Sequence, residues 1–344
     1  MTKKNPIFSV IIPVRTITPY VKETLSKLKK QTFKSFEIHV ITDEISSKSK
    51  FTNHQIGPSY KRNLGAKIAK GQYLAFLDDD SYPSKNWLKN AYDILIKNKK
   101  LAAVCGPCLT PPQDSPRQKA SGLVWSSLVG SGGAGVYRNS IQAKRFVDDY
   151  PTVNLIVNKK DFQKIGGFDN HYWPGEDTIL CLNLTKKLHK KILYDPSIIV
   201  YHHRRSVFIP HLQQITRYAI HRGYFAKKFP ETSFRIGYFI PTFFSLYLLI
   251  SLIVNIYLQL TSTPRNIISF LLNLPIYLYL SILTLTFISF LYKKNTIYIS
   301  LLATITIPLT HIYYGVLFII GLTKPNLKFK PHRIDKKSGI YIGG

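Results

Sequence analysis

Three long stretches without a single charge dominate the second half of the chain. They occupy positions 236–264, between Arg235 and Arg265, 266–292, between Arg265 and Lys293, and 295–323, between Lys294 and Lys324. They hold 29, 27 and 29 residues. A bilayer core needs about 20 apolar residues as a helix, and buried helices of soluble proteins seldom run so long uncharged. Tyr238–Leu260, Ile267–Tyr292 and Ile297–Leu322 are therefore expected to be membrane-embedded helices. Lys293 and Lys294 mark their short loop as cytoplasmic, and the tail from Lys324 to Lys337 asks for the same side, with six bases and one acid. Three full spans after a cytoplasmic N-terminal domain would put that tail outside. Either the tail is translocated, or one segment is interfacial or re-entrant. Pro275 and Pro308, inside apolar runs, are the expected break points.

The charge is divided along the same line. The chain has 47 Lys and Arg against 18 Asp and Glu, a formal net charge of +29, yet 15 of the acids lie at or before Asp177. The remainder is basic, acid-poor and apolar at once. Nucleic-acid binders share the basicity but not the long uncharged runs, so an anionic lipid surface is the expected partner and nucleic acid is not. At 13% aromatic residues the chain is not a disordered basic tail, and three cysteines do not make a disulfide scaffold. The run Ile7–Val14 is short and contains Pro13, which suits a strand better than a secretory signal. The N-terminal domain is expected in the cytoplasm.

The first 100 residues read as strand, helix, strand, helix, strand, helix, strand. Phe8–Val14, Phe36–Thr42, Tyr73–Leu77 and Leu101–Val104 are apolar runs, separated by helical spacing over Pro19–Gln31, from Pro58 or Ser59 to Gly71, and from a Ser84 cap to Asn98. That order predicts a mostly parallel α/β sheet with helices on both faces. Ala120–Gly135, rich in Gly and Ser, is expected to be a flexible loop. Thr152–Asn158 reads as a strand, Glu176–Leu188 as a helix, Ile192–His202 as further strand, and Val207–Phe229 as an interfacial helix. Cys105-Gly106-Pro107-Cys108 has redox spacing, but Leu109-Thr110-Pro111-Pro112 cannot start the helix that would activate a thiol. It is expected to be a strand end in a crowded place.

In parallel sheets ligands bind at the carboxyl ends of strands. Here those ends carry Pro13–Thr16, Asp43-Glu44 and Asp78-Asp79-Asp80. Three adjacent carboxylates repel one another, and a divalent ion with hard oxygen ligands offsets that repulsion. The plain alternative is a solvated loop.

The order Phe8-Ser-Val-Ile-Ile-Pro-Val14, Lys61-Arg62-Asn63-x-Gly65, Phe76-Leu-Asp-Asp-Asp80, Gly166-Gly-Phe-Asp169, Gly175-Glu-Asp177 and Val200-Tyr-His202 resembles the family 2 glycosyltransferases. The resemblance covers about residues 6–235. It implies an inverting sugar transfer on the nucleotide-diphospho-sugar-binding GT-A fold. By the same resemblance, Asp78 and Asp79 belong to the donor-nucleotide site with Pro13, Arg15, Asp43 and Arg62. Asp80 and His202 would ligate Mn²⁺ or Mg²⁺. Asp177 would be the general base, with Glu176 second in line; a pair of acids simply placed in the first turn of a helix is the alternative. Gln214-Ile-Thr-Arg217-Tyr218 is similar to the Q-x-x-R-W element of processive synthases, with Tyr for Trp, and implies contact with diphosphate or acceptor. An amphipathic helix facing lipid phosphates explains it equally well.

The whole arrangement is similar to membrane-anchored, succinoglycan-type exopolysaccharide glycosyltransferases, whose acceptors are lipid-linked. The expected organisation is a GT-A domain over 1–205, an amphipathic helix over 206–235, a membrane region over 236–323 and a basic tail over 324–344. The expected partners are a nucleotide-diphospho-sugar donor, a lipid-linked or glycan acceptor and membrane lipid. A processive synthase and an inert membrane scaffold are the rival expectations; three spans and Tyr218 speak against the first, intact Asp78, Asp80 and Asp177 against the second. His311, ionisable within an apolar run, is either functional or hydrogen-bonded to a neighbouring helix.

Overall fold

A computed structural model describes residues 5–43, 57–261 and 267–327, less the side chain of Ile268. Glu44, Arg265 and the tail beyond residue 327 lie outside the described residues. The chain divides into two compact units. One lies within Met1–Pro111 and Ser140–His203, the other is formed by Pro112–Asn139 and Arg204–Pro325.

Among the described residues the first unit contains ten strands: β1 (Phe8–Pro13), β2 (Phe36–Ile41), β3 (Tyr73–Phe76), β4 (Ser81–Pro83), β5 (Leu101–Cys105), β6 (Cys108–Leu109), β7 (Arg145–Val147), β8 (Leu155–Asn158), β9 (Lys191–Tyr194) and β10 (Val200–His202). Seven form a sheet in the order β2-β1-β3-β8-β5-β9-β7, and β4-β10-β6 form a smaller one. β1 is apolar and buried along its whole length, as suits a strand covered on both faces. It runs parallel to β2 and β3. Phe8, Val10 and Ile12 pack with Val21 and Leu28 of the helix Pro19–Lys29 and with Trp87, Leu88 and Ala91 of the helix Trp87–Lys97. Ile11 faces the other way, onto the helix Pro58–Ile68. Gly65 permits that approach, since a Cβ there would sit 2.6 Å from Ile11 Cγ2.

Helices thus cover both faces, and five of the seven strands, β2, β1, β3, β5 and β9, run the same way, while two reversed strands make the sheet mixed. β8 is antiparallel to β3 and β5, and β7 is antiparallel to β9. The Cys105–Cys108 segment joins β5 to β6, and both cysteines are buried and form no disulfide. The crowding there is real: a Cβ on Gly106 would lie 2.1 Å from the Ile198 carbonyl oxygen. The fully buried Asn154 amide donates to the carbonyls of Gly106 (2.7 Å) and Ile198 (2.8 Å) and accepts from the Trp87 indole (2.9 Å). Ser84 is not a helix cap. The helix begins at Trp87, and the buried Gln31 side chain accepts from Leu88 N (3.1 Å) while donating to Ser84 O (2.6 Å).

In the second unit, the expected loop Ala120–Gly135 is helical, as Pro116–Ser126 and Leu128–Asn139. Ser115 and Gln118 form a capping box with Pro116 at the first helical position, and a kink at Gly132 (φ +66°) absorbs the glycine run. Ile236–Leu260, Ile267–Tyr292 and Ile297–Thr323 are helices, and three spans long and apolar enough to cross a membrane lie within them. They continue through Pro241, Pro275 and Pro308, so the expected break points are not realised. In apolar surroundings a broken helix would strand more backbone groups than one proline does. Asn255 and Asn273 exchange amide hydrogen bonds of 3.2 Å between the first two helices. Gly223 and Gly321 bring the helix Ile209–Lys228 onto the last one; a Cβ at either would lie 2.2 Å from a facing carbonyl oxygen. His311 accepts its neighbour-bonding reading: its ring lies 2.8 Å from Tyr279 Oη and 2.8 Å from Val129 O.

His211, fully buried, sits 2.9 Å from Ser121 Oγ and 3.0 Å from Thr310 Oγ1. Burial depresses its pKa to about 4. The folded state therefore holds His211 neutral where the unfolded chain, with a pKa of about 6.5, takes up a proton. Its contribution is complete above pH ~6.5, declines as pH falls, and is exhausted near pH 4, amounting to about 2 kcal/mol by pH 5. Thermal unfolding of the detergent-solubilised chain is expected to lose stability across that window. His211→Gln should flatten this part of the profile; an unchanged slope would disprove the assignment.

Candidate active site

The parallel directions of β1, β2 and β3 bring their carboxyl ends to one edge of the first unit. Pro13 closes β1 there and is buried, and Arg15, two residues on, is exposed. Asp43 follows β2 and Asp78-Asp79-Asp80 follows β3, all half-buried. The helix Pro58–Ile68 supplies two buried cations to this edge. Lys61 donates to Asp43 and to the Val14 carbonyl (2.7 Å). Burial lowers its pKa, an effect that Asp43 partly opposes; Arg15 and Asp79 also lie near enough to act on it.

Arg62, 4% exposed, bridges two acids from distant parts of the chain. Nη2 donates to Asp78 (2.6 Å) and Nη1 to Glu176 (2.8 Å). Burial works against its charge, but Asp78, Glu176 and, less strongly, Asp177 outweigh it and raise its pKa. Glu176 is itself buried, and burial raises its pKa against the pull of Arg62. Asp177 is half-buried, with one oxygen 2.8 Å from Thr178 N. The two acids open the helix Glu176–Leu182, whose cap Gly175 has φ +118°. Such a backbone favours glycine.

β10 completes the edge. It is antiparallel to β4, which puts His202 opposite Ser81. His202 Nε2 lies 3.0 Å from Asp80 Oδ1. Ligand atoms of Asp78, Asp80 and His202 all fall within 4.8 Å of one another. Two carboxylates and an imidazole at that spacing fit a divalent cation. His203 does not form a solvated pair with His202. It turns away, stacked on Tyr20 and 3.0 Å from Glu23 Oε2.

Contacts therefore pair Lys61 with Asp43, Arg62 with Asp78 and Glu176, and His202 with Asp80, with Arg15 and Asp79 in electrostatic range of Lys61 and Asp177 in range of Arg62. Gln214, Arg217 and Tyr218 belong to the other unit, on the helix Ile209–Lys228. There Gln214 donates to Tyr218 Oη (3.2 Å), and the Tyr218 ring meets Trp125 edge-on. Lys61 is the residue that sequence reading passed over. Its signal is its place beside Arg62, three residues past the helix-opening Pro58, which turns both onto the sheet edge.

Residues 9–143 match the family model described as glycosyl transferase family 2. Over those residues the chain matches a family 2 glycosyltransferase domain. Among curated relatives, the pre-mycofactocin glycosyltransferase of Mycobacterium tuberculosis is 26% identical over 162 residues, 44% of this chain and 31% of that protein. The poly(ribitol-phosphate) β-N-acetylglucosaminyltransferase TarS of Staphylococcus aureus is 33% identical over 102 residues, 24% of this chain and 18% of that protein. The matches thus span a third or less of these relatives' lengths. Among solved structures, the mannosyltransferase PcManGT of Pyrobaculum calidifontis, in complex with GDP-Man and Mn²⁺, shares the fold at a TM-score of 0.50 and 14% identity, over 94% of this chain and 89% of that one.

Within the first unit, the Asn63 side chain pins the segment leading to Glu176. It donates to Phe168 O (2.8 Å) and accepts from Phe168 N (2.9 Å), beside Gly166 and Gly167 with φ of +82° and +78°. Asn63→Ala is expected to lower the thermal midpoint, by the loss of two hydrogen bonds worth about 1 kcal/mol each. It should also open residues 166–175 to limited proteolysis; an unaltered digestion pattern would reject this latch.

Proposed function

We propose that the chain is an inverting, metal-dependent glycosyltransferase. It moves a sugar from a nucleotide-diphosphate donor to a lipid-linked or glycan acceptor at the cytoplasmic face of a membrane. The observation that carries this reading is the convergence of Asp78, Asp80 and His202 beside the Arg62–Glu176 pair and Asp177. The family match supports the reaction class, and the sugar-transfer names of the relatives support it further.

In this reading Asp78, Asp80 and His202 would hold Mn²⁺ or Mg²⁺, which when bound would supply positive charge toward a diphosphate leaving group. Pro13, Arg15, Asp43, Asp78 and Asp79 line the nucleotide pocket, with Lys61 holding Asp43 in place and Arg62 holding Asp78. Asp177 takes the proton from the acceptor hydroxyl as that oxygen attacks the anomeric carbon. One displacement needs one base, and it inverts the configuration. Glu176 is the weaker candidate because its carboxylate is engaged by a buried guanidinium, whereas Asp177 is half-buried. Gln214, Arg217 and Tyr218 serve the acceptor or its diphosphate. The three apolar helices keep the enzyme where a lipid-linked acceptor resides.

A screen of nucleotide sugars with Mn²⁺ for thermal stabilisation of the full chain, followed by transfer assays, tests the class. Failure of every common donor to bind or react would sink it. Asp177→Asn should retain donor binding while transfer drops by about 10²–10⁴-fold, the worth of a general base. Unchanged turnover removes Asp177 from that role. Asp80→Ala should abolish the divalent-ion dependence of donor-induced stabilisation, and persistence of that dependence would displace the ion from this cluster.

A further inference from the structure

We infer that Arg62 is a positioning residue that couples occupancy of the cation cluster to the Glu176–Asp177 turn. The inference rests on the cation-dependent reading above and deepens it. Asp78 is at once a member of the cation cluster and a hydrogen-bond partner of Arg62. The same guanidinium reaches Glu176 through its other terminal nitrogen. Its Nε is buried and makes no hydrogen bond among the described residues. The fork is therefore divided between two carboxylates 98 positions apart in the chain, one at each side of the site. Both Arg62 and Glu176 are about 95% buried, so water screens their charges poorly.

The sign of the coupling follows. A guanidinium beside Asp78 repels a cation that shares that carboxylate. Glu176 balances the guanidinium, and the pair together is close to neutral. Asp78 is then left with its charge available to the ion. Without the charge of Glu176, Arg62 falls wholly upon Asp78 and competes with the cation. The reverse also holds, because linkage is reciprocal. A cation on Asp78 weakens the hold of Asp78 on Arg62 and tightens that of Glu176. Filling the cluster therefore fixes the turn that carries Asp177, so the base is positioned when cation and donor are present.

The test is Mn²⁺ binding by the full chain in detergent, with UDP or GDP present, followed by the paramagnetic resonance of free Mn²⁺. Blanks without protein remove binding to the nucleotide. Glu176→Gln should weaken Mn²⁺ roughly tenfold, as expected for an unbalanced charge a few ångströms away at low screening. Arg62→Gln/Glu176→Gln should return the affinity to within about threefold of wild type, since both charges are gone. A residue that merely supports the fold would show no such rescue. Equal affinities for wild type and Glu176→Gln, or a double variant as weak as Glu176→Gln, overturn the coupling. Wild type that binds no Mn²⁺, or Asp80→Ala that binds it equally well, overturns the cation reading and the coupling together. Should Glu176→Gln fail to fold, Glu176→Asp serves. A shorter acid reaches Arg62 less well, and an intermediate loss of Mn²⁺ affinity is required.

Discussion

The buried charge of Arg62 constrains the rest of the catalytic unit. A guanidinium removed from water costs several kcal/mol unless its partners are in place, and removal of one partner leaves an uncompensated charge. Asp78 and Glu176 must therefore meet Arg62 together. That demand fixes three distant segments: the end of β3, the helix Pro58–Ile68 and the start of the helix Glu176–Leu182. Neighbouring details serve it. Gly65 lets the helix lie against Ile11, and Asn63, next to Arg62, grips the backbone of Phe168. The Phe168 ring in turn lies 5.6 Å from the guanidinium.

Around that bridge the acids of the edge are met by basic side chains. Lys61 answers Asp43, Arg62 answers Asp78 and Glu176, and His202 stands against Asp80. The adjacent carboxylates of Asp78 and Asp80 are tolerable because they are drawn toward different partners. The same arrangement separates Glu176 from Asp177. The first points into the protein and is held by a cation, and the second remains half-buried beside its own helix start.

The second unit solves a different problem. Its three long apolar helices have no charged side chain to place but many backbone dipoles to satisfy. Close approach at Gly223, Gly315 and Gly321, the Asn255–Asn273 exchange and the imidazoles of His211 and His311 tie the helices together. These side chains meet another helix, whereas Ser281, Thr284 and Thr286 bond back to carbonyls of their own helix; both arrangements supply a partner where water cannot.

Much of this was legible in sequence. Uncharged runs of 27 to 29 residues state their helices by length alone, and the run Phe8–Val14 states a buried strand. Asp78–Asp80 announced a site because three carboxylates together need an explanation. The direction of β8 could not be read, since periodicity reports burial and not the sense in which a strand runs. The helices within Ala120–Gly135 were hidden because glycine content speaks for local freedom, while the Ser115 cap and packing decide otherwise. Pro275 and Pro308 looked like breaks because propensity ignores the apolar surroundings that hold a helix together. The sequence by itself determined the presence of a sheet edge rich in acids and three apolar helices. Only the tertiary structure decided which acid meets Arg62 and which cation meets Asp43, because those pairings join residues far apart in the chain whose distance no local pattern encodes.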